Sequence, residues 1–480
     1  MVISFLRLIS MLLIIVSASM LFPAGVALYY KEIEMVKVFV DPFLFCFIIG
    51  IIILSLTRKH KFRLNSRTGF AAVFLCWISS IFLGAIPLLQ SGYIPHFADA
   101  LFESASGFTT TGATILSEIQ TLPRSFNLWR MQMHWLGGMG IVALTVALLP
   151  LLGVGGFQLI KAETTGPEKG KITPKITNTA KILWMTYIAF TVMQTILLMF
   201  AGMDFVDAIG HTFATLGTGG FSSQNASVGA YNSATIDWIC TIFMILAGIN
   251  FSLYYLLLTG KGKSVLQNTE LKVYLTIIAI ATIGIAIIIN PLYKTTFTAI
   301  RYSAFQVASI ITTTGFSTAN FETWPSAAKM ILFMLMFVGG CSGSTGGSIK
   351  VIRWVIVAKQ LNNETKRMLH PHGIFSIQLN KRTGRKDIVY NVAAFFFLYF
   401  IFIIVTAFVA SLDGSNLITS LSASLALVGN IGPGFDAVGP VENYGFFSDA
   451  AKYWFSFAMV AGRLELYTMI MIFLPAYWKK

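Results

Sequence analysis

The chain has 480 residues, of which 56% are hydrophobic and only 11% charged, and its 34 Lys and Arg against 20 Asp and Glu give a net charge of +14. A soluble domain of this size could not cover its surface with so few polar groups, so a water-soluble fold is excluded and the chain belongs in a bilayer. Nucleic acid is a poor partner for the basic excess, because the basic residues are dispersed over several loops and follow membrane topology.

Apolar runs of spanning length, about 20 residues, occur near 5–29, 36–57, 70–90, 128–152, 182–202, 236–258, 273–290, 326–358, 389–411 and 450–477. Ten transmembrane helices are predicted. In the first run, Arg7 precedes an apolar stretch with Ser17-Ala18-Ser19 as a candidate signal-peptide cleavage site. That stretch continues to Leu28, which favours a retained helix. Cys46, Cys76, Cys240 and Cys341 lie in apolar sequence without metal-ligand spacing and read as packing residues.

Charge sets the predicted orientation. Of the 34 Lys and Arg, 25 fall on one side: Arg7, five in 58–67, five in 161–181, three in 261–272, nine in 350–386, and Lys479 with Lys480. Counting acidic residues as well, the two faces carry +20 and −6. The basic face, with both termini, is expected to be cytoplasmic.

Four times a small-residue loop ending in glycine interrupts the apolar sequence: Thr109-Thr110-Thr111-Gly112, Gly217-Thr218-Gly219-Gly220, Thr312-Thr313-Thr314-Gly315 and Gly429-Asn430-Ile431-Gly432. Successive last glycines are 108, 95 and 117 residues apart, room for one supersecondary unit each. Before each loop lies a segment too short to span: Phe97 to Phe108, Phe205 to Leu216, Phe297 to Ile311 and Asn416 to Val428. About 12 helical residues cover roughly 18 Å, enough to enter the bilayer and turn back. The predicted unit is helix, half-helix, loop, helix, with every glycine loop opening toward the external face.

Four such units divide the chain into 58–160, 161–260, 261–386 and 387–480, preceded by two extra transmembrane helices in 1–57. The predicted fold is therefore an all-α integral membrane protein with four pseudo-repeated helix, pore-helix, filter-loop and helix units around one pore. Non-helical backbone at membrane depth needs protein packing or a watery cavity, and four loops around one axis supply both. Rings of backbone carbonyls replace the hydration shell of a potassium ion with weak-field oxygens. Glycine reaches positive φ without penalty and lets chains converge, and threonine adds a hydroxyl on a stiff side chain.

The eighth run is interrupted from Gly339 to Ser348 by five glycines and three serines. Each glycine costs a helix about 1 kcal/mol relative to alanine, so a break is expected there, opening into a cavity beneath the loops. Arg463 is the one basic residue expected inside a spanning helix, where a charge at the bilayer centre costs about 2.5 to 3.5 kcal/mol. Pairing with Glu465 is one explanation, although residues two apart point to different helix faces.

With these loops, His134-Trp135-Leu136-Gly137-Gly138-Met139-Gly140 and the run Gly339 to Lys350, the chain resembles the Trk/Ktr/HKT superfamily of potassium transporters over nearly its whole length, and within it the TrkH/TrkG-type membrane subunits of bacterial Trk systems. That resemblance implies a potassium filter at Thr110, Thr111, Gly112, Gly219, Gly220, Thr313, Thr314, Gly315, Asn430, Ile431 and Gly432. Within it, backbone carbonyls of Thr111, Gly112, Gly220, Thr314, Gly315, Ile431 and Gly432 would hold the ion. It also implies a gate at Gly343, Ser344, Thr345, Gly346, Gly347 and Arg463, a homodimer with one pore per protomer in the bacterial cytoplasmic membrane, and a cytoplasmic TrkA-type nucleotide-binding subunit. Potassium is the transported ion, and no organic cofactor is expected.

The basic segments 161–181 and 359–387 offer docking surface for such a partner, and His370 and His372 beside Pro371 read as loop residues. The short loops predict modest discrimination between cations. Neither the Gly-x-Ser-x-Gly pattern nor a complete phosphate loop is present, so an enzyme is not expected. A proton- or sodium-coupled potassium symporter is the competing reading. Against it, such proteins usually build broken helices into two inverted halves, whereas four repeats and one broken helix are predicted here.

Overall fold

The computed structural model describes residues 2–58, 66–140, 176–373, 375–379, 382–383 and 386–478. Helix dominates, and the one ladder of paired strands among the described residues is an antiparallel hairpin of Gln378–Leu379 with Arg382–Thr383. Six helices are long and apolar enough to cross a membrane: Ile3–Tyr29, Ile33–Leu56, Gly69–Gln90, Ile182–Phe200, Thr269–Leu292 and Ile388–Leu412. Polarity is inverted relative to a soluble protein. Ile287 and Phe397 are exposed while Glu103, Arg130 and His134 are fully buried, as expected where lipid replaces water around the outer surface.

Of the remaining four apolar runs, three bend or break within the described residues. Ala234–Ala247 and Phe251–Leu258 meet at 91°, and Asp449–Arg463 and Leu466–Phe473 at 116°. The run near 326–358 divides into Ser326–Leu335, an irregular stretch, and Val351–Leu369. The run near 128–152 forms Arg124–Gly138 and then passes outside the described residues at 141. Among the described residues three breaks therefore occur where the sequence suggested one. Two of them follow small residues, Ala247-Gly248 and Ala461-Gly462, whereas the helix Ser326–Leu335 ends four residues ahead of Gly339-Gly340.

The half-helices form at Phe97–Phe108, Phe205–Gly217, Thr296–Ile311 and Leu417–Val428. Three have side-chain caps at their starts, with Asp204, Thr295 and Asn416 accepting from the amides of Asp207, Thr298 and Thr419, which satisfies N–H groups that helix geometry leaves unpaired. Each packs against the long helix before it. In addition, Arg124–Gly138 packs on the second half-helix, Ala234–Ala247 on the third, and Asp449–Arg463 on the first. The glycine-rich stretch adds to the contact between the third unit and the fourth, its Ser348 amide donating to Gly429 O at 2.9 Å.

Ion pairs stitch these elements together. Lys452 of the last return helix holds Asp99 of the first half-helix at 2.5 Å, and Arg301 of the third half-helix lies 3.3 Å from Asp237. Cys46, Cys76, Cys240 and Cys341 are buried free thiols.

Candidate functional site: four glycine loops and the stretch beneath them

All four loops share one backbone conformation. Two residues before the glycine, Thr110, Thr218, Thr313 and Asn430 have φ of 56°, 55°, 58° and 53°, and Gly112, Gly220, Gly315 and Gly432 have φ of 81°, 81°, 81° and 97°. A non-glycine residue in this region costs on the order of 1 kcal/mol or more and persists only where its surroundings enforce it. Here the enforcing contact is the half-helix. The amides of Thr111, Gly219, Thr314 and Ile431 donate back to Ser106 O, Ala214 O, Ser309 O and Ala426 O at 2.8 to 2.9 Å.

With the amides turned to the half-helices, nearly all the carbonyls are left without donors among the described residues. Of the twelve carbonyls in Thr110–Gly112, Thr218–Gly220, Thr313–Gly315 and Asn430–Gly432, eleven accept no hydrogen bond from the described residues. The exception is Gly432 O, which accepts from Tyr444 Oη at 2.9 Å. Buried carbonyls are otherwise almost always paired.

The loops also meet one another in cyclic order. A Cβ on Gly112 would overlap Gly219 O, one on Gly220 would overlap Thr314 O, one on Gly315 would overlap Ile431 O, and one on Gly432 would press on Thr111 O. Each glycine therefore abuts the carbonyl preceding the next glycine, and the fourth closes on the first. Asn430 spans the closing seam, its Nδ2 donating to Thr111 Oγ1 and Met459 O, both at 2.9 Å.

Side chains behind the loops hold this geometry. Nine residues before three of the glycines stand Glu103, His211 and Gln306, and before the fourth Ala423. Glu103 accepts from Thr114 Oγ1 and from the Ile115 amide, and pairs with Arg130 at 2.6 Å with both side chains fully buried. The Arg130 guanidinium also lies 4.2 Å over the Phe221 ring. His211 Nε2 bonds Ser222 Oγ at 2.9 Å, and Gln306 Nε2 donates to Ala319 O at 3.3 Å. In the fourth unit Ser422 Oγ accepts from the Phe435 amide at 3.0 Å.

His134 bridges two loops, accepting from the Phe221 amide at Nε2 (3.2 Å) while Nδ1 faces Gly107 O (2.8 Å), a pattern that assigns the proton to Nδ1. In the charge asymmetry of the sequence, Glu103 and Arg130 belong to the −6 face. Each shares its helix with one other charge of the same sign near the start, Asp99 and Arg124, so the signal was a charge set deeper into an apolar segment.

Beneath the loops lies the glycine-rich stretch, with its own amides and carbonyls bonded to the surrounding elements. The Gly347 amide donates to Thr313 Oγ1 at 2.6 Å, Cys341 N to Gly248 O at 2.8 Å, and the Phe251 amide to Gly343 O at 3.1 Å. Glu270 accepts from the Ser342 and Ile352 amides at 2.7 and 3.2 Å, and buried Lys350 donates to Gly346 O.

Arg463 ends its helix and donates to Thr345 O at 2.6 Å, Gly137 O at 2.9 Å and Gly138 O at 3.0 Å. It thus ties the stretch to the end of the first return helix. Glu465, at φ 60°, pairs with Arg353 at 2.7 Å. Arg463 is accordingly one of several buried or partly buried cations, with Arg130, Lys350 and Arg353, rather than the single one expected.

Of the two docking segments, 161–181 lies outside the described residues up to 175 and then enters the helix Ile176–Phe200, and 359–387 begins in the helix Val351–Leu369 and includes the hairpin. Among the described residues no group of three His, Cys, Asp or Glu could hold a metal ion.

Comparison with known proteins supplies the family. The TrkH family model, described as "Cation transport protein", matches residues 35–480. The chain is 38% identical over 482 residues, 99% of each chain, to "Trk system potassium uptake protein TrkH" of Escherichia coli K12, and 34% identical over 472 residues, 96% of each, to "Trk system potassium uptake protein TrkG" of the same organism. The crystal structure of the potassium transporter TrkH from Vibrio parahaemolyticus superimposes with a TM-score of 0.88 at 33% identity, covering 100% of both chains. A match of that extent, over four glycine loops that close in a ring, makes this chain a member of the TrkH family of cation transport proteins.

Proposed function

We propose that this chain takes up potassium across the bacterial cytoplasmic membrane by channel-like conduction through the four glycine loops. Eleven main-chain carbonyls without a donor among the described residues, on loops that close in cyclic order, are the single observation that carries this reading. Such oxygens substitute for the water shell of a weakly hydrated cation. The half-helices end at the loops, so the negative ends of four helix dipoles add to the attraction. The relatives' names supply the ion. The protein is a transporter, not an enzyme.

Orientation follows from the +20 and −6 faces, which put the loops outside and both termini in the cytoplasm. A homodimer and a TrkA-type nucleotide-binding subunit belong to the same proposal through the family resemblance. Three carbonyl levels per loop are few, so rubidium and some sodium should permeate beside potassium.

Broken helices also occur in coupled symporters, at the interface of inverted halves. The four loops here repeat with one backbone hand, Thr110 and Gly112 like Asn430 and Gly432 each having positive φ, and that favours a pore. Radioactive rubidium uptake into liposomes holding the purified protein separates the two. The pore reading expects downhill flux without a proton or sodium gradient, and flux that requires either gradient would establish the symporter.

The stretch 343–347 with Arg463 is proposed as the gate, the arginine by repelling cations and the loop by filling the path. Arg463→Ala removes the charge, the hydrogen bond to Thr345 O of the stretch and the two bonds that anchor the guanidinium to Gly137 O and Gly138 O. Rubidium flux is expected to rise roughly tenfold, the effect of lowering a barrier by about 1.4 kcal/mol. Unchanged flux in folded protein would remove Arg463 from the gate.

A further inference from the structure

We propose that Tyr444 sets the strength of cation binding at the outer glycine level by occupying one of its four carbonyls; the inference rests on the reading of the loops as a filter. Gly432 O accepts from Tyr444 Oη at 2.9 Å, whereas Gly112 O, Gly220 O and Gly315 O accept nothing from the described residues. Exposure follows the same division. All four glycines line the outer vestibule, but Gly112, Gly220 and Gly315 are partly exposed and Gly432 is buried.

Tyr444 is built into position. Its side chain is 2% exposed, its ring packs against Phe102 at 5.7 Å and Phe447 at 6.0 Å, and its amide donates to Thr114 O at 2.8 Å. It therefore joins the segment after the fourth loop to the segment after the first, across the seam where the ring closes.

A donor on a carbonyl draws electron density toward its own proton and leaves less for a cation. The outer level is thus three full-strength oxygens and one weakened oxygen. Weaker field costs a small, strongly hydrated ion more than a large one, so the hydroxyl disfavours sodium relative to rubidium and potassium.

Rubidium uptake by full-length protein in liposomes tests this. Tyr444→Phe keeps the ring and removes the donor. The half-saturating rubidium concentration is expected to fall roughly fivefold, the size of one neutral hydrogen bond, and the sodium concentration that half-inhibits uptake to fall by a larger factor. Incorporating 3-fluorotyrosine at 444, a more acidic donor of nearly the same shape, shifts both the other way.

Phe447→Leu disturbs the same aromatic cluster without touching the hydroxyl and should leave the sodium-to-rubidium ratio alone. Unchanged constants in both Tyr444 variants, a rise in half-saturation for Tyr444→Phe, or an equal shift in Phe447→Leu would overturn the proposal. Loss of uptake in Gly220→Ala alongside silent Tyr444 variants would sink the Tyr444 role alone, whereas normal uptake in Gly220→Ala would remove the filter itself.

Discussion

Gly220→Ala is expected to reduce potassium uptake at least a hundredfold while leaving folded protein in the membrane. The added methyl would overlap Thr314 O of the next loop, and the residue sits at φ 81°, so the substitution strains its own backbone and displaces a carbonyl of its neighbour. Strain alone is worth about 1 to 2 kcal/mol. A control isolates that part: Gly92 has φ 75° with nothing within 4 Å of its Cβ position, and Gly92→Ala should leave uptake within about threefold of the unaltered protein. The check is rubidium uptake normalised to the protein recovered as a single chromatographic peak. Equal uptake by the two variants would mean that the loops do not share a common conduction path.

Glu103→Ala should have the largest effect on stability. Removing the carboxylate strands Arg130, fully buried and 2.6 Å from its partner, and breaking a buried pair by deleting one member costs about 3 to 5 kcal/mol. Detergent-solubilised Glu103→Ala should show a much lower thermal midpoint and little recoverable protein. The double variant Glu103→Leu with Arg130→Met removes both charges and should recover most of the lost stability, because desolvated pairs often exchange with apolar groups at little cost.

Uptake by that double variant should still fall, since Thr114 and the Ile115 amide lose their acceptor behind the first loop. A single variant as stable as the unaltered protein would show that the pair is not structural. Full uptake by the double variant would remove the pair from the support of the loop.

Much of the fold was legible because its causes are local. Apolar runs of bilayer length identify spanning helices whatever lies beside them, and the half-helix at Phe97–Phe108 occupies the range the sequence suggests. The glycines at 112, 220, 315 and 432 advertise positive φ, which one residue's own sterics decide. The breaks were less visible. Gly339 to Ser348 is conspicuous by composition, whereas Ala247-Gly248 and Ala461-Gly462 are short interruptions in apolar sequence that bend by 91° and 116° only in the packed structure.

By itself, then, the sequence determined membrane residence, the repeat unit, the loop glycines and the charge asymmetry between faces, all of which follow from hydrophobic length, backbone sterics and counts of charge. Only tertiary structure decided which loops abut, which buried charges pair and which carbonyl is already taken. Arg463 and Gly137 are 326 residues apart, and Asn430 reaches Thr111 across 319. Contacts of that span depend on how four units close on one another, a property that no window of sequence contains.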